Sequence, residues 1–300
     1  MKSFSLKYSR VLVLASVCLG TVCAWAAPLK VLMIGNSYSI CVLKHMPQVA
    51  KSCGAELDIA SLYIGGCPMA RHVQNIENAA DLSYMLTWNR CGDDKADWPE
   101  LAACIKTTTV RNHKTGKESP AKRANICAAL AADKWDIVTV QQASHFSFKA
   151  EAYHPWGDKL LATVKKLAPQ AKIYLQETWS DQPESKRLAG WKFTSATMYA
   201  ALHRCYADFA RENSLPVIPT GTAVEFARGV APLQCAGGNP HLGPVGEYLQ
   251  GLVWTAKIFG KDVTSCAYAP AGMEVAVATA LKTAAMRAVK GELPASAEAK

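Results

Sequence analysis

The chain has 300 residues, 50% hydrophobic and 19% charged, with a mean hydropathy of +0.02 and a formal net charge of +9. These proportions exclude a membrane-embedded bundle and a disordered polyelectrolyte, and at this length one large α/β domain is as natural as two smaller ones.

The elements begin with a leader. Lys2, Lys7 and Arg10 precede an apolar run from Val11 to Cys23, followed by Ala24-Trp25-Ala26. Positive, apolar, then small-x-small is the order of a secretory signal cut after Ala26, and the apolar run is short for a span of about 20 residues. Residues 1–26 are therefore read as a signal peptide, and 27–300 as a single domain of a periplasmic or secreted protein without stable membrane insertion. Its loss lowers the net charge from +9 to +6, because three cations and no anions go with it. Nine cysteines remain, at 41, 53, 67, 91, 104, 127, 205, 235 and 266. In an oxidising compartment several should pair, and the odd count leaves at least one over. None lies in a C-x-x-C and no Cys/His group has zinc-site spacing, so a structural metal site is not expected.

Leu29 to Ile34 reads as a strand ended by Gly35-Asn36-Ser37, with a helix over Leu43 to Ser52. Leu57 to Ile64 is a second strand, stopping at Gly65-Gly66. A third, Trp135 to Val140, follows a helical stretch from Ala121 to Asp133; a fourth, Lys172 to Leu175, follows Trp156 to Leu167; a fifth, Leu215 to Pro219, follows Thr197 to Asn213. Helices over Gly246 to Phe259 and Met273 to Val289 close the chain, and Gly291 to Lys300 reads as a frayed tail. Apolar runs alternating with helices of ten or more residues predict βαβ units and a parallel sheet covered on both faces, a three-layer α/β/α domain. Residues 83–122 break the rhythm and read as an insertion or an excursion over one edge of the site. Within it the densest basic run, Lys114 to Arg123, is broken by Gly116, Glu118, Ser119 and Pro120, which suits a solvated loop better than a nucleic-acid stripe. A mild basic face toward acidic polymers stays open.

Ligands of such sheets bind at the carboxyl ends of the strands. There the sequence offers Asn36 and Ser37 after the first strand, Gly65 and Gly66 after the second, Gln141, Gln142 and Ser144 after the third, and Glu177 with Trp179 after the fourth. Asn239 and His241 precede a late helix. A serine at a strand-to-helix turn exposes its hydroxyl and a backbone N–H, a glycine turn brings a second N–H, a side-chain amide can donate a third bond, and a loop histidine accepts the serine proton. Taken singly, Gly-Asn-Ser is ordinary turn or cap chemistry, and a lone histidine is more often structural.

Together, the run Val31 to Ser39 containing Gly35-Asn36-Ser37-Tyr38-Ser39, the Gly65-Gly66 turn, the Gln141–Ser144 cluster and the C-terminal His241 resemble the SGNH/GDSL hydrolase superfamily, in a bacterial branch that carries glutamine where the main family has asparagine. The resemblance implies a flavodoxin-like parallel sheet and ester hydrolysis without metal or cofactor, with Ser37 as nucleophile, His241 as base, and Ser37, Gly66 and Gln141 (or Gln142) forming the oxyanion hole. The family's usual aspartate three residues before the histidine is Gly238 here, with Asn239 beside it. A backbone carbonyl, or a carboxylate such as Glu177, Asp181 or Glu225, is then expected to orient His241. A small acyl ester, such as acetyl on a glycan, is the expected substrate, with Trp88, Trp98, Trp156 and Trp179 as candidate sugar-stacking faces. A non-catalytic carbohydrate-binding protein on the same fold is the other reading. No G-x-S-x-G elbow, no G-x-G-x-x-G after the first strand and no clustered histidines support an α/β-hydrolase, a dehydrogenase or a metallohydrolase.

Overall fold

The computed structural model describes residues 27–79, 81–111 and 115–299; the expected leader lies outside them. In chain order the strands are β1 (Leu29–Gly35), β2 (Leu57–Tyr63), β3 (Met85–Arg90), β4 (Ile105–Arg111), β5 (Glu118–Ala124), β6 (Ile137–Val140), β7 (Lys172–Gln176) and β8 (Val217–Ile218). The helices are α1 (Ser37–Ile40), α2 (Met46–Ser52), α3 (Met69–Glu77), α4 (Pro99–Ala102), α5 (Ile126–Ala131), α6 (Trp156–Leu167), α7 (Lys186–Trp191), α8 (Ser195–Asn213), α9 (Thr220–Ala227), α10 (Pro244–Phe259) and α11 (Val275–Val289).

Six strands form one sheet in the order β3-β2-β1-β6-β7-β8. All neighbours run parallel except β3, which pairs antiparallel with β2. Without β3 the parallel order is the flavodoxin-like 2-1-3-4-5. β1 shows why both faces are covered: Val31 and Met33 join one apolar core with α2, α9, α10 and α11, while Leu32 and Ile34 join the other with α3, α5, α6 and α8. Side-chain alternation along one fully buried strand thus feeds two helical layers.

The irregular segment resolves into parts. β3 widens the sheet by one strand, and β4 and β5 form a separate two-stranded ribbon. The helix expected over Ala121 to Asp133 is shorter, because Ala121–Ala124 pairs with Ile105–Thr108 and the helix starts only after Asn125, whose Oδ1 caps the N–H groups of Cys127 and Ala128. The frayed tail is also corrected: Ala297 packs against the core and Ser296 Oγ donates to Glu225 Oε2 at 3.3 Å. All nine described cysteines are unpaired. The Cys41 thiol meets Gln250 Oε1 at 2.8 Å and the Cys67 thiol meets His72 Nδ1 at 3.6 Å, so these partners are polar side chains and not other thiols. No described helix is long and apolar enough to cross a membrane.

Candidate active site

The parallel order reverses at β1, between β2 and β6, and a cleft of about 300 Å³ lies at the carboxyl ends of these strands. Asn36, Ser37, Tyr63, Gly65, Gly66, Ser144, Arg187 and His241 line it.

Asn36 caps the short helix α1 by accepting from Tyr38 N at 3.0 Å, which leaves Ser37 as the first helical residue with its side chain in the cleft. The N–H of a first helical residue has no intrahelical acceptor. Gly66 sits at φ +60 in the turn closed by the bond from Cys67 N to Ile64 O at 3.3 Å. Among the described residues neither the Ser37 nor the Gly66 backbone N–H is spent on a backbone acceptor. Both line the space in front of the serine hydroxyl.

His241 Nε2 lies 2.8 Å from Ser37 Oγ, and His241 Nδ1 lies 2.8 Å from Asn239 Oδ1. The same Asn239 oxygen accepts from the His241 backbone N–H at 3.0 Å. A backbone N–H only donates, so the atom facing it must be the amide oxygen, and an oxygen acceptor requires the proton on Nδ1. That leaves Nε2 bare toward the serine, the tautomer a general base needs. Burial and the Arg187 charge lower the His241 pKa below its ordinary 6.5, partly opposed by Asp181, so the ring is neutral at pH 7.

The loop is fixed by its own bonds. Trp179 Nε1 and Gln234 Nε2 donate to Pro240 O at 2.8 and 3.0 Å, and Cys235 N donates to His241 O at 2.9 Å. Gly238 has φ +72, and a Cβ there would lie 3.1 Å from Glu184 O and from Ser185 Cα. An aspartate at Gly238 is thus disfavoured by both conformation and space.

Several expected site residues lie elsewhere. Gln141 does not line the cleft: its Nε2 donates to Asn36 Oδ1 at 2.7 Å, behind the serine turn. Gln142 accepts from Met69 N and Ala143 N and donates to Ala152 O. Glu177 is held by His203 Nδ1 at 2.7 Å and by Thr222. Glu225 accepts from Arg228 and Ser180, and Asp181 faces Arg187 and Ser185. None of these carboxylates bonds His241, whose orienting partner is Asn239. Ser144 does reach the cleft, where its Oγ accepts from Arg187 Nη2 at 3.2 Å. No tryptophan lines it; Trp179 lies beneath, stacked on Tyr38 with ring centroids 4.2 Å apart.

The sequence reading missed Arg187. It lines the cleft from α7 with its Nε 3.2 Å from the buried Asp181 carboxylate. A cation soon after the fourth parallel strand was the available signal. Among the described residues, no group of three or more His, Cys, Asp or Glu side chains gathers to hold a metal ion.

The family model for a domain of unknown function, DUF4886, matches residues 30–94 and 110–288. Among solved structures, a DUF4886 family protein from Bacteroides uniformis ATCC 8492 is 25% identical with a TM-score of 0.73, over 88% of this chain and 95% of that one. A protein from Slackia heliotrinireducens classed with the SGNH hydrolases is 21% identical with a TM-score of 0.51, over 77% of this chain and 99% of that one. Among curated proteins none matches. The fold is thus that of the SGNH hydrolases.

Proposed function

The chain belongs to the DUF4886 family, and we propose that it is a serine hydrolase of small acyl esters, exported to the periplasm or beyond, with Ser37 as nucleophile and His241 as base. The observation that carries this reading is the 2.8 Å contact between Ser37 Oγ and an unprotonated His241 Nε2, whose tautomer Asn239 fixes.

In the reaction, Ser37 Oγ attacks the ester carbonyl carbon while its proton passes to His241 Nε2. The carbonyl oxygen becomes an oxyanion that accepts from the Ser37 and Gly66 N–H groups. Collapse of the tetrahedral intermediate breaks the bond to the alcohol, which leaves with the proton from His241. A water molecule then repeats the sequence on the acyl-enzyme and releases the carboxylic acid and free Ser37. Gln141 acts one shell back, holding Asn36 and thereby the serine turn. A cleft of about 300 Å³ suits an acetyl-sized acyl group better than a long chain, and acetylated carbohydrate is the substrate we favour.

The test compares hydrolysis of a small aryl acetate and of an acetylated sugar by the mature protein with Ser37→Ala and His241→Ala, each checked for folding. Turnover that disappears in both variants supports the proposal. No turnover in the wild type, with sugar binding that persists in Ser37→Ala, replaces it by a carbohydrate-binding protein on a hydrolase fold.

A further inference from the structure

Beside the oxyanion turn lies a second depression of about 450 Å³ that adjoins the cleft at Tyr63 and Gly65. Its other walls include Arg71 from α3, Ser83, and Thr108 and Arg123 from the β4–β5 ribbon. The ribbon is strongly basic. Between Ile105 and Ala124 the sequence holds Lys106, Arg111, Lys114, Lys117, Lys122 and Arg123 against the single carboxylate Glu118.

The charges in the depression are uncompensated. Arg123 Nη1 donates to the Ser83 carbonyl at 3.3 Å, and among the described residues no carboxylate lies within ion-pair reach of Arg71 or Arg123. Glu77, six residues after Arg71, faces Lys159 at 3.4 Å, and Asp81 is turned onto the Ser83 N–H and hydroxyl at 2.9 and 2.8 Å. In the cleft, by contrast, Arg187 is neutralised by Asp181. Two guanidinium groups that converge on a hollow without a protein anion are arranged to receive anions from outside, and their planar forks match carboxylates. An anionic membrane would need large exposed apolar side chains beside them, yet Ile64, Leu82 and Val110 in the depression are buried or half-buried, and the large exposed hydrophobics among the described residues are Val275, at the start of α11, and Leu293, in the C-terminal segment.

Building on the hydrolase reading, we propose that the alcohol portion of the ester is an acidic glycan, and that Arg71 and Arg123 bind carboxylates on the sugar residues flanking the one whose ester Ser37 attacks. The oxyanion turn stands between the two hollows, so a chain lying across Tyr63 and Gly65 places its acylated residue at Ser37 and its neighbours against the ribbon.

The test measures acetate release from an acetylated oligogalacturonide with free carboxylates and from the same oligosaccharide with its carboxylates methyl-esterified, beside an aryl acetate. The acidic form is expected to show a kcat/KM about tenfold higher, a preference that shrinks in 0.5 M NaCl, falls at least fivefold in Arg71→Gln/Arg123→Gln, and returns largely in Arg71→Lys/Arg123→Lys. Equal rates on the two oligosaccharides, with the aryl acetate turned over, overturn the acidic-glycan assignment and leave the hydrolase standing. A preference that the glutamine variant does not move overturns the role of these arginines. No release from any of the three substrates overturns the hydrolase reading and this inference with it.

Discussion

Asn239 is the sharpest place to test how the site works. Its Oδ1 accepts from both the ring Nδ1 and the backbone N–H of His241. Asn239→Ala removes the only side-chain acceptor bonded to Nδ1 among the described residues. In the resting enzyme the lost ring bond is neutral and worth about 1 kcal/mol; in the transition state the ring is an imidazolium, and a bond from a charged donor is worth about 1.5–3 kcal/mol. The difference, about 0.5–2 kcal/mol, is a loss felt only as the charge develops, and the freed ring also samples the unproductive tautomer. Because Asn239 is solvent-exposed, water replaces part of the lost bond and the expected fall in kcat is about tenfold. Asn239→Asp should keep the geometry and hold the imidazolium better, so kcat is maintained or raised and the acid limb of the pH profile moves to higher pH. The assay is steady-state hydrolysis of an aryl acetate from pH 5 to 9, with thermal midpoints showing all three proteins folded. A kcat for Asn239→Ala within twofold of wild type would refute the assignment of Asn239 as the orienting residue.

Gly66→Ala meets no atom within 4 Å, so its effect comes only through φ +60. Holding alanine there costs about 1–2 kcal/mol, which turning the peptide would relieve by withdrawing the N–H from the oxyanion; kcat should fall about tenfold or more with little change in KM. The pH profile of kcat/KM should rise from acid with a midpoint below 6.5, since neutral His241 is the active form and its pKa is lowered. Arg187→Gln removes one cause of that lowering and leaves Asp181 unopposed, so the midpoint should move up; a midpoint that stays or falls contradicts the electrostatic reading. The pKa of His203 is raised, chiefly by its bond to Glu177. The stability this pair contributes is therefore fully present below about pH 6.5 and lost as pH climbs through the raised value. The urea midpoint should drop between pH 6 and 8.5 by more in the wild type than in His203→Gln. Gly221→Ala drives a Cβ into the Thr178 carbonyl and should destabilise by about 3 kcal/mol, read as a shifted urea midpoint with activity retained in the folded fraction.

How much of this was legible in the sequence depended on distance along the chain. Trp156 to Leu167 emerges with the bounds its periodicity predicts, because an amphipathic helix is encoded by neighbours a few residues apart. The Ser37 turn was visible for the same reason. Ala121–Ala124 was not: its Ala-Lys-Arg-Ala composition favours a helix, and only the pairing with Ile105–Thr108 makes it strand. Asn125, a residue type that favours N-caps, marks where the true helix starts. Disulfides were expected from compartment and count, neither of which encodes the distance between two thiols. Asn239 was a candidate site residue, but the orienting role was expected of a backbone carbonyl or a distant carboxylate, for a subtler reason. Counting back three positions lands on Gly238, which the loop holds at positive φ against Ser185, while Asn239 turns its oxygen inward. Spacing fixes which residues are near, and the course of a loop fixes which atom arrives.

The same distinction explains why a glutamine expected in the oxyanion hole can matter without entering it. Asn36 Oδ1 accepts from Tyr38 N and from Gln141 Nε2, and Asn36 Nδ2 donates to Cys67 O at 3.1 Å. One buried amide thus ties the serine turn after β1 to the end of β6 and to the glycine turn after β2. Two flanking strands fix the separation of the Ser37 and Gly66 N–H groups, and neither turn alone could. A third constraint sits on Tyr38, whose carbonyl accepts from Gln176 at the end of β7 and from Gln250 of α10. Each bond is worth about 1 kcal/mol net, yet losing one strands a buried polar group and costs more. The price of disorder at this junction is therefore high for the backbone that presents Ser37, while His241 rides on a more exposed loop. Rigid donors behind the nucleophile and a base on a loop divide the work as acyl transfer requires, because the oxyanion must be met at a fixed point while the imidazole serves two oxygens in turn.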